Sequence, residues 1–180
     1  AEFDLHKVHK AGARFSKEKA EWFNHQYLQR QSNEELLESF KNLEETKNIN
    51  LSDETLLKII SLMKERATFV KDIYTQGKFF FEAPAAYDEK AVKKAWNEET
   101  ASIMTELSEK LNTTEFKSEI LKEEIHHLVE EKGLGFGKVM MPLRLALVGE
   151  LKGPDVPDLL EILGKEESLT RLKLAIEKIK

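Results

Sequence analysis

Residues 138–165 constrain the fold more than any other part of the chain, because they specify two helices joined by a stiff corner. In the first helix an apolar repeat at i, i+4 and i+7 predicts one buried face, made of Met141, Leu145 and Val148. Pro142 is expected close to the start of this helix, where a missing N–H costs little. Gly149 should end the helix, and Gly153 and Pro154 should turn the chain before a second helix begins.

Arg144 lies on a different side of the first helix, about one turn before the corner. Its guanidinium is a planar fork of hydrogen-bond donors, and a glycine–proline corner exposes backbone N–H and C=O groups. Together these groups can hold an unstacked RNA base. An arginine in this position can also brace the corner against its own helix, and the residues alone leave both interpretations open.

Helical signals cover the rest of the chain, and no segment has the alternation typical of a β-strand. Four polar residues precede apolar helical repeats and are predicted N-caps: Ser16, Ser32, Ser52 and Asp88. The repeat after Ser52 predicts a helix that continues through Arg66 toward Ile73, and 79–81 is expected to be an extended connector. Residues 77–87, with a glycine and a proline, are the predicted internal boundary. The sequence therefore predicts an all-α protein of about nine helices.

The chain has 180 residues, of which 41% are hydrophobic and 34% charged, as expected for a helix-rich protein with a sizeable core. It has no apolar run long enough to span a bilayer and no signal-peptide pattern. It also has no cysteine, which excludes disulfides, thiolate chemistry and cysteine-ligated metal sites. These features favour a cytoplasmic protein. Because the sequence begins with Ala1, we expect a fragment or a cloning remnant.

Charge is unevenly distributed along the chain. The net charge of −5 on its own argues against a dedicated nucleic-acid binder. Residues 34–54 are strongly acidic, whereas two zones nearer the ends are basic: Lys7, Lys10 and Arg14, and then Lys132, Lys138, Arg144 and Lys152. This distribution suits a protein that contacts RNA with part of its surface. It also suits a helical scaffold whose acidic middle docks a basic protein, or a surface whose charge is simply uneven.

No catalytic, cofactor-binding or metal-binding residue is predicted in the chain. Glu123 and His127 lie one helical turn apart, but nothing nearby supplies the third ligand that a catalytic zinc requires. Gly133, Gly135 and Gly137 lack the spacing and the preceding strand of a dinucleotide-binding loop, so we expect a helix connector there. No Ser-His-Asp set or pair of inward carboxylates can be assigned.

Two motifs near opposite ends of the chain resemble one known family. The sequence PLRLALVG at 142–149, followed by a proline-containing corner and a leucine-rich Gly-Lys-Glu segment, is similar to the carboxy-terminal signature of bacterial-type glutamyl-tRNA synthetases. Residues 3–28 resemble the family's second motif, a turn followed by Lys19, Trp22, Asn24 and Tyr27. The helical sequence between the motifs has the family's order and spacing, so the resemblance covers nearly the whole chain. Within the second motif we interpret Trp22, Asn24 and Tyr27 as core and bracing residues.

The resemblance implies an all-α anticodon-binding domain of a class I aminoacyl-tRNA synthetase, built as a helical bundle or superhelix. It divides the chain into the end of a stem-contact region with the first helix at 1–30, a first helical anticodon-binding subdomain at 31–86 and a second at 87–180. It implies that the parent enzyme, a glutamate–tRNA ligase, joins glutamate to tRNA-Glu through a glutamyl-adenylate made from ATP. The family's two ATP-binding loops are absent from these residues. ATP and Mg would therefore belong to a missing catalytic domain, and this chain should bind tRNA without catalysing the reaction.

The resemblance also assigns binding roles to particular residues. Arg66 matches an arginine that reads the last anticodon base, and the family associates this arginine with enzymes that charge only tRNA-Glu. On the residues alone, Arg66 is equally well an exposed surface arginine. Arg144 matches an arginine that contacts the anticodon loop. The corner residues Gly153, Pro154 and Val156 match backbone and apolar contacts to the splayed bases, although Gly153 cannot make the hydroxyl contact of some family members.

Three basic residues near the amino terminus complete the predicted site. Lys7, Lys10 and Arg14 are expected to contact the tRNA phosphate backbone, which adds affinity without sequence choice. Exposed basic residues without a role are the alternative. The predicted partners are tRNA-Glu and the catalytic domain of the same polypeptide, with no membrane contact and a monomeric state. The alternative function is a helical protein–protein interaction scaffold without RNA binding.

Overall fold

The computed structural model describes residues 16–179, and all regular structure in that range is helical. Nine α-helices follow one another: α1 (Lys17–Arg30), α2 (Asn33–Lys41), α3 (Asp53–Lys64), α4 (Val70–Gln76), α5 (Glu89–Ala95), α6 (Glu98–Thr113), α7 (Ser118–Glu131), α8 (Gly137–Val148) and α9 (Val156–Lys178). Short 3-10 turns occupy Glu44–Thr46 and Lys78–Phe80. The all-α prediction is confirmed, and so is the expected number of helices within the described range.

The four predicted N-caps are all confirmed. In each case the side-chain oxygen accepts a hydrogen bond from the backbone N–H three residues later: Ser16 from Lys19, Ser32 from Glu35, Ser52 from Thr55 and Asp88 from Ala91. Glu35 also accepts a bond of 2.8 Å from the backbone N–H of Ser32, which completes a reciprocal capping box. These starts are correctly predicted because a cap depends only on residues within one turn.

The predicted continuous helix from Ser52 toward Ile73 is wrong, because the chain breaks between α3 and α4. Asp72 is the cause of the break. Its carboxylate accepts hydrogen bonds from the backbone N–H groups of Thr68 (2.9 Å) and Phe69 (2.8 Å), which would otherwise remain without a partner at the start of α4. The break leaves Arg66 in a loop immediately after α3 and not on a helix.

Two smaller predictions also need correction. Phe79 and Phe80 belong to a 3-10 turn and not to an extended connector, since the N–H groups of Phe80 and Phe81 bond back to the carbonyls of Gly77 and Lys78 (both 2.9 Å). Pro142 is the sixth residue of α8, because the helix already begins at Gly137.

Helix α8 lies at the centre of the core, packed against α5, α6 and α9. Five of its side chains have no exposed surface: Val139, Leu143, Leu145, Ala146 and Leu147. Helix α9 packs on α6, α7 and α8, and Gly164 kinks it through a left-handed backbone angle (φ 76°). Full burial of each of the valine and leucine side chains among them contributes about 1.5–3 kcal/mol, so α8 is the main organising element of this part of the molecule.

Interactions cross the predicted boundary at 77–87. Arg171 in α9 is 2% exposed, and its guanidinium donates hydrogen bonds to the carbonyl oxygens of Phe79 (2.7 Å) and Leu147 (2.8 Å). Lys58 in α3 forms an ion pair of 3.0 Å with Glu161 in α9. These contacts join the two segments by hydrogen bonds and charge, and the division at residue 86 stays a prediction.

Candidate nucleic-acid interface

The corner after α8 is built around Arg144. Gly149 ends the helix with a left-handed backbone (φ 87°), as predicted, and its N–H bonds to the carbonyl of Leu145 at 2.8 Å. The chain then turns back, so that the half-buried guanidinium of Arg144 donates a hydrogen bond to the carbonyl oxygen of Pro154. The corner-bracing interpretation of Arg144 is therefore confirmed. A guanidinium has five N–H donors, and this bond uses one of them.

Two glycines are required for the shape of this corner. At Gly153 the backbone has φ 152°, and an added Cβ would lie 3.2 Å from Nη1 of Arg144. At Gly149 an added Cβ would lie 2.8 Å from the carbonyl oxygen of Ala86 and 2.9 Å from Cβ of Pro84. The carbonyl of Gly149 also accepts a bond of 2.8 Å from the N–H of Asp88, which ties the corner to the segment before α5.

Arg66 is exposed, and its positive charge acts on the half-buried guanidinium of Arg144. Burial lowers the pKa of the Arg144 guanidinium below its ordinary value, the carboxylate of Asp155 acts in the opposite direction, and the positive charge of Arg66 lowers this pKa further. Two guanidinium groups that repel one another in this way favour a ligand that brings negative charge or hydrogen-bond acceptors between them. The fold therefore brings together the two arginines that were singled out from the sequence.

The loop that carries Arg66 is held in place by polar side chains of α1. Asn24 donates a hydrogen bond to the carbonyl of Thr68, and Nδ1 of His25 lies 2.8 Å from the carbonyl of Ala67, which requires the proton on that nitrogen. Gln29 donates to the carbonyl of Lys64 at 2.7 Å. The bracing interpretation of Asn24 is confirmed. The roles of His25 and Gln29 were not predicted, although their spacing from Asn24 puts all three on one side of the helix.

The interpretation of Trp22 and Tyr27 as core residues is wrong. Their exposed fractions are 57% and 67%, and that of Phe23 beside them is 47%. Phe23 and Tyr27, four residues apart, lie on the side of α1 away from the hydrogen bonds to the loop after α3, whereas Trp22 lies at the edge of the hydrogen-bonded side, at the spacing i, i+3 and i+7 with His25 and Gln29. The spacing of aromatics along a helix gives the side on which they lie but not which side faces the core.

The remaining predicted site residues fall into two groups. Pro154 and Val156 are buried, Val156 completely, and the N–H of Val156 bonds to the carboxylate of Asp155 at 3.0 Å. The corner in this conformation therefore presents backbone and the guanidinium of Arg144 to a ligand, and not the side chain of Val156. The other group, Lys7, Lys10 and Arg14, lies outside the described residues.

Within residues 16–179, no helix combines the length and the apolar character needed to cross a membrane. The same range contains no cluster of three or more His, Asp or Glu side chains arranged to hold a metal ion. The surface described above thus offers hydrogen-bond donors and positive charge, which are the groups that recognise nucleic acids.

An all-helical fold with two neighbouring arginines at a rigid corner suits a domain that binds a folded RNA. A family model described as an anticodon binding domain matches residues 18–176 of the chain. Because this match covers most of the sequence, the chain belongs to the anticodon binding domain family. The family identification based on the two motifs is confirmed.

Two curated relatives of this chain are both described as glutamate–tRNA ligases. The chain is 45% identical over 179 residues to a glutamate–tRNA ligase of Christiangramia forsetii, covering 99% of this chain and 35% of that protein. It is 47% identical over 175 residues to the glutamate–tRNA ligase of Flavobacterium johnsoniae, again with 35% of that protein covered. The chain thus spans about a third of the length of these curated relatives.

Two solved structures of glutamate-tRNA ligases have the same fold as this chain over the part that they share. A crystal structure of a glutamate tRNA ligase from Elizabethkingia meningosepticum in complex with its amino acid superposes with a TM-score of 0.93 at 67% identity, covering 99% of this chain and 36% of that one. A glutamate-tRNA synthetase structure from Elizabethkingia anophelis gives a TM-score of 0.88 at 66% identity. The all-helical anticodon-binding fold expected from the sequence is confirmed.

Proposed function

We propose that this chain recognises the anticodon of tRNA-Glu as the carboxy-terminal part of a glutamate–tRNA ligase. The observation that carries the proposal is the corner that requires glycine and holds Arg144, whose guanidinium is under the influence of the positive charge of the exposed Arg66. The description of the relatives as glutamate–tRNA ligases supports the choice of tRNA. The family match favours this function over the alternative of a protein–protein scaffold.

Arg66 is proposed to read the last anticodon base. The pairing edge of cytosine has two adjacent acceptors, N3 and O2, which an arginine fork can bond together, whereas the corresponding edge of guanine has N–H donors that repel a cation. A bidentate contact of this kind discriminates between bases by about 1–3 kcal/mol. Since Arg66 is exposed and its loop is braced by α1, its guanidinium is accessible and its backbone is positioned.

Arg144 is proposed to contact the anticodon loop with the N–H donors that do not bond to Pro154. Gly153 and Pro154 would add backbone contacts to splayed bases, and Val156 would contribute from its buried position by supporting the corner. Lys7, Lys10 and Arg14 are proposed, on the resemblance, to contact the phosphate backbone. None of these residues performs chemistry, so the chain is proposed to bind and not to catalyse.

The whole protein is proposed to join glutamate to tRNA-Glu with ATP and Mg in a catalytic domain that precedes this part of the polypeptide. The share of the relatives that the chain covers, about 35%, leaves room for such a domain. The catalytic domain and tRNA-Glu are then the partners of this chain. We propose a monomer located in the cytoplasm, where its tRNA substrate would be found.

Binding of the 180-residue chain to the anticodon stem-loop of tRNA-Glu tests the proposal, by comparison with a stem-loop that has G as the last anticodon base. We expect a preference for the cognate loop that Arg66→Gln reduces by about 1–3 kcal/mol. Arg144→Ala should weaken binding to both loops. Arg30→Ala removes the same charge from an exposed position in α1 and is the matched control.

Equal affinity of the wild-type chain for the two loops would reduce the function to generic RNA binding. The measurement should be made at low and moderate salt, because phosphate contacts weaken with salt whereas a base preference does not depend on them. Absence of binding at low salt would favour the scaffold alternative.

A further inference from the structure

A pocket of about 210 Å³ lies where α5 and the start of α6 meet the start of α8. Its rim carries three lysines, Lys93, Lys94 and Lys138, and its wall includes the ring of Trp96. We call this site the lysine pocket. The anticodon-binding role proposed above uses none of these residues.

The three lysines have exposed side chains and no carboxylate partner among the described residues. Elsewhere in the described range many lysines are neutralised, as Lys58 is by Glu161 at 3.0 Å and Lys132 is by Glu106 at 2.5 Å. Glu99 is the acidic residue in the lining of the pocket. The lysine pocket therefore combines an excess of positive charge with ammonium groups that are available to a ligand.

Trp96 gives the pocket a fixed aromatic surface. It directly follows α5, its N–H bonds to the carbonyl of Val92 at 2.9 Å, and the next residue, Asn97, caps α6 by accepting the N–H of Thr100 at 2.9 Å. These bonds on both sides position the half-buried indole. Lysines around an aromatic ring form the combination with which proteins bind single-stranded nucleic acid, through phosphate contacts and base stacking.

Helix α8 connects the lysine pocket to the arginine site. Gly137 and Met141 line the pocket, and Arg144 follows at the spacing i, i+4, i+7, so it lies on the side of Met141 and not, as expected from the sequence, on a different side of the helix. The distance along the helix from Gly137 to Arg144 is about 10 Å. One strand of a helical nucleic acid advances about 3.4 Å per nucleotide, so the pocket lies about three nucleotides from a base held at Arg144.

We propose that the lysine pocket binds the phosphate backbone of the RNA strand whose bases occupy the arginine site, with a base stacked on Trp96. This inference rests on the proposed function, since it assigns a second contact to the same RNA. The pocket adds affinity and positions the strand, whereas Arg66 and Arg144 select the anticodon.

The salt dependence of stem-loop binding tests this proposal. A triple variant, Lys93→Gln, Lys94→Gln and Lys138→Gln, should lower the slope of log affinity against log salt by about two, because each lost single-strand phosphate contact lowers it by about 0.7. The matched control is Lys122→Gln, Lys173→Gln and Lys178→Gln, which removes the same charge from exposed positions on α7 and α9. We expect the control to retain the wild-type slope.

The comparison of salt slopes between the two triple variants does not depend on whether the chain reads the anticodon. A preference for the cognate loop that persists in the lysine-pocket variant, with a reduced slope, would support the inference. Equal slopes in the two triple variants would overturn it, even if the base preference is intact. Loss of base preference in the wild-type chain would reject the proposed function, and the comparison of slopes would still decide whether RNA contacts the pocket.

Trp96 provides a second measurement that does not depend on the triple variant. The chain has two tryptophans, so Trp22→Phe makes Trp96 the sole indole fluorophore. Saturation with the stem-loop should then quench the emission of Trp96, because a stacked base covers the ring. Unchanged emission at saturation would contradict the placement of RNA over the pocket.

Discussion

Helices α1 and α8 are similar in length but are held in the molecule by opposite means. In α1 the inward side is polar and donates hydrogen bonds to backbone carbonyls, the outward side is aromatic, and only Leu28 is classed as buried. In α8 seven of the twelve residues are buried, and the polar side chains are Lys138 and Arg144, six residues apart and on different sides of the helix. The net contribution of one hydrogen bond to the free energy of unfolding is about 0.5–1.5 kcal/mol, which is less than that of a buried aliphatic side chain. Removing side chains from α8 should therefore cost more stability than removing them from α1.

The largest expected effect is that of Leu145→Ala in α8. Leu145 has no exposed surface, so the substitution loses apolar burial and leaves a cavity in a packed core. We expect the free energy of unfolding to fall by about 2–5 kcal/mol. Urea unfolding followed by circular dichroism measures this loss. A change below about 1 kcal/mol would mean that α8 does not organise the core.

A smaller loss is expected for Gly153→Ala in the corner after α8. The backbone there is in a region that favours glycine, and the new methyl group would lie 3.2 Å from Nη1 of Arg144. We expect a loss of about 1–3 kcal/mol in stability. Weaker binding of the cognate stem-loop should accompany it, as the guanidinium is displaced. The double variant with Arg144→Ala is the control, because removal of the arginine relieves the contact and should recover part of the stability.

In α1, Asn24→Ala should lower stability by about 1 kcal/mol, since one side-chain hydrogen bond to the carbonyl of Thr68 is lost. The functional consequence should be larger than the change in stability. The loop of Arg66 loses a brace, so the preference for the cognate anticodon should decrease while the salt dependence of binding stays as in the wild-type chain. Glu18→Ala, on the same helix and exposed, should leave the preference for the cognate anticodon unchanged. Full base preference in Asn24→Ala would show that α1 does not position Arg66.

The smallest effect on stability is expected for Trp22→Ser combined with Tyr27→Ser, which removes two exposed aromatic rings of α1. Both side chains are more than half exposed, so the free energy of unfolding of the 180-residue chain should change by about 0.5 kcal/mol or less per substitution. Thermal unfolding of the double variant measures this change. A loss comparable to that of Leu145→Ala would mean that the aromatic side is buried in solution.

The sequence was most informative where structure depends on neighbours along the chain. The caps at Ser16, Ser32 and Ser52 follow from contacts across three residues, and the stop at Gly149 follows from a left-handed backbone angle. The resemblance to a family supplied the pairing of Arg66 with the corner, which periodicity alone leaves open. The break before α4 was missed because the apolar repeat continues across it, although the position of Asp72 three residues after Phe69 has the spacing of a capping box.

The sequence by itself determined that this protein is helical, where four of the nine described helices begin, and that a glycine–proline corner follows α8, since each of these features depends on contacts within a few residues. Only the tertiary structure decided which side of α1 faces inward and that Arg66 lies near Arg144. Both depend on packing between segments far apart in the sequence. A helix with polar and aromatic sides turns inward the side whose hydrogen-bonding groups find partners, and that choice is made by the surface against which the helix packs.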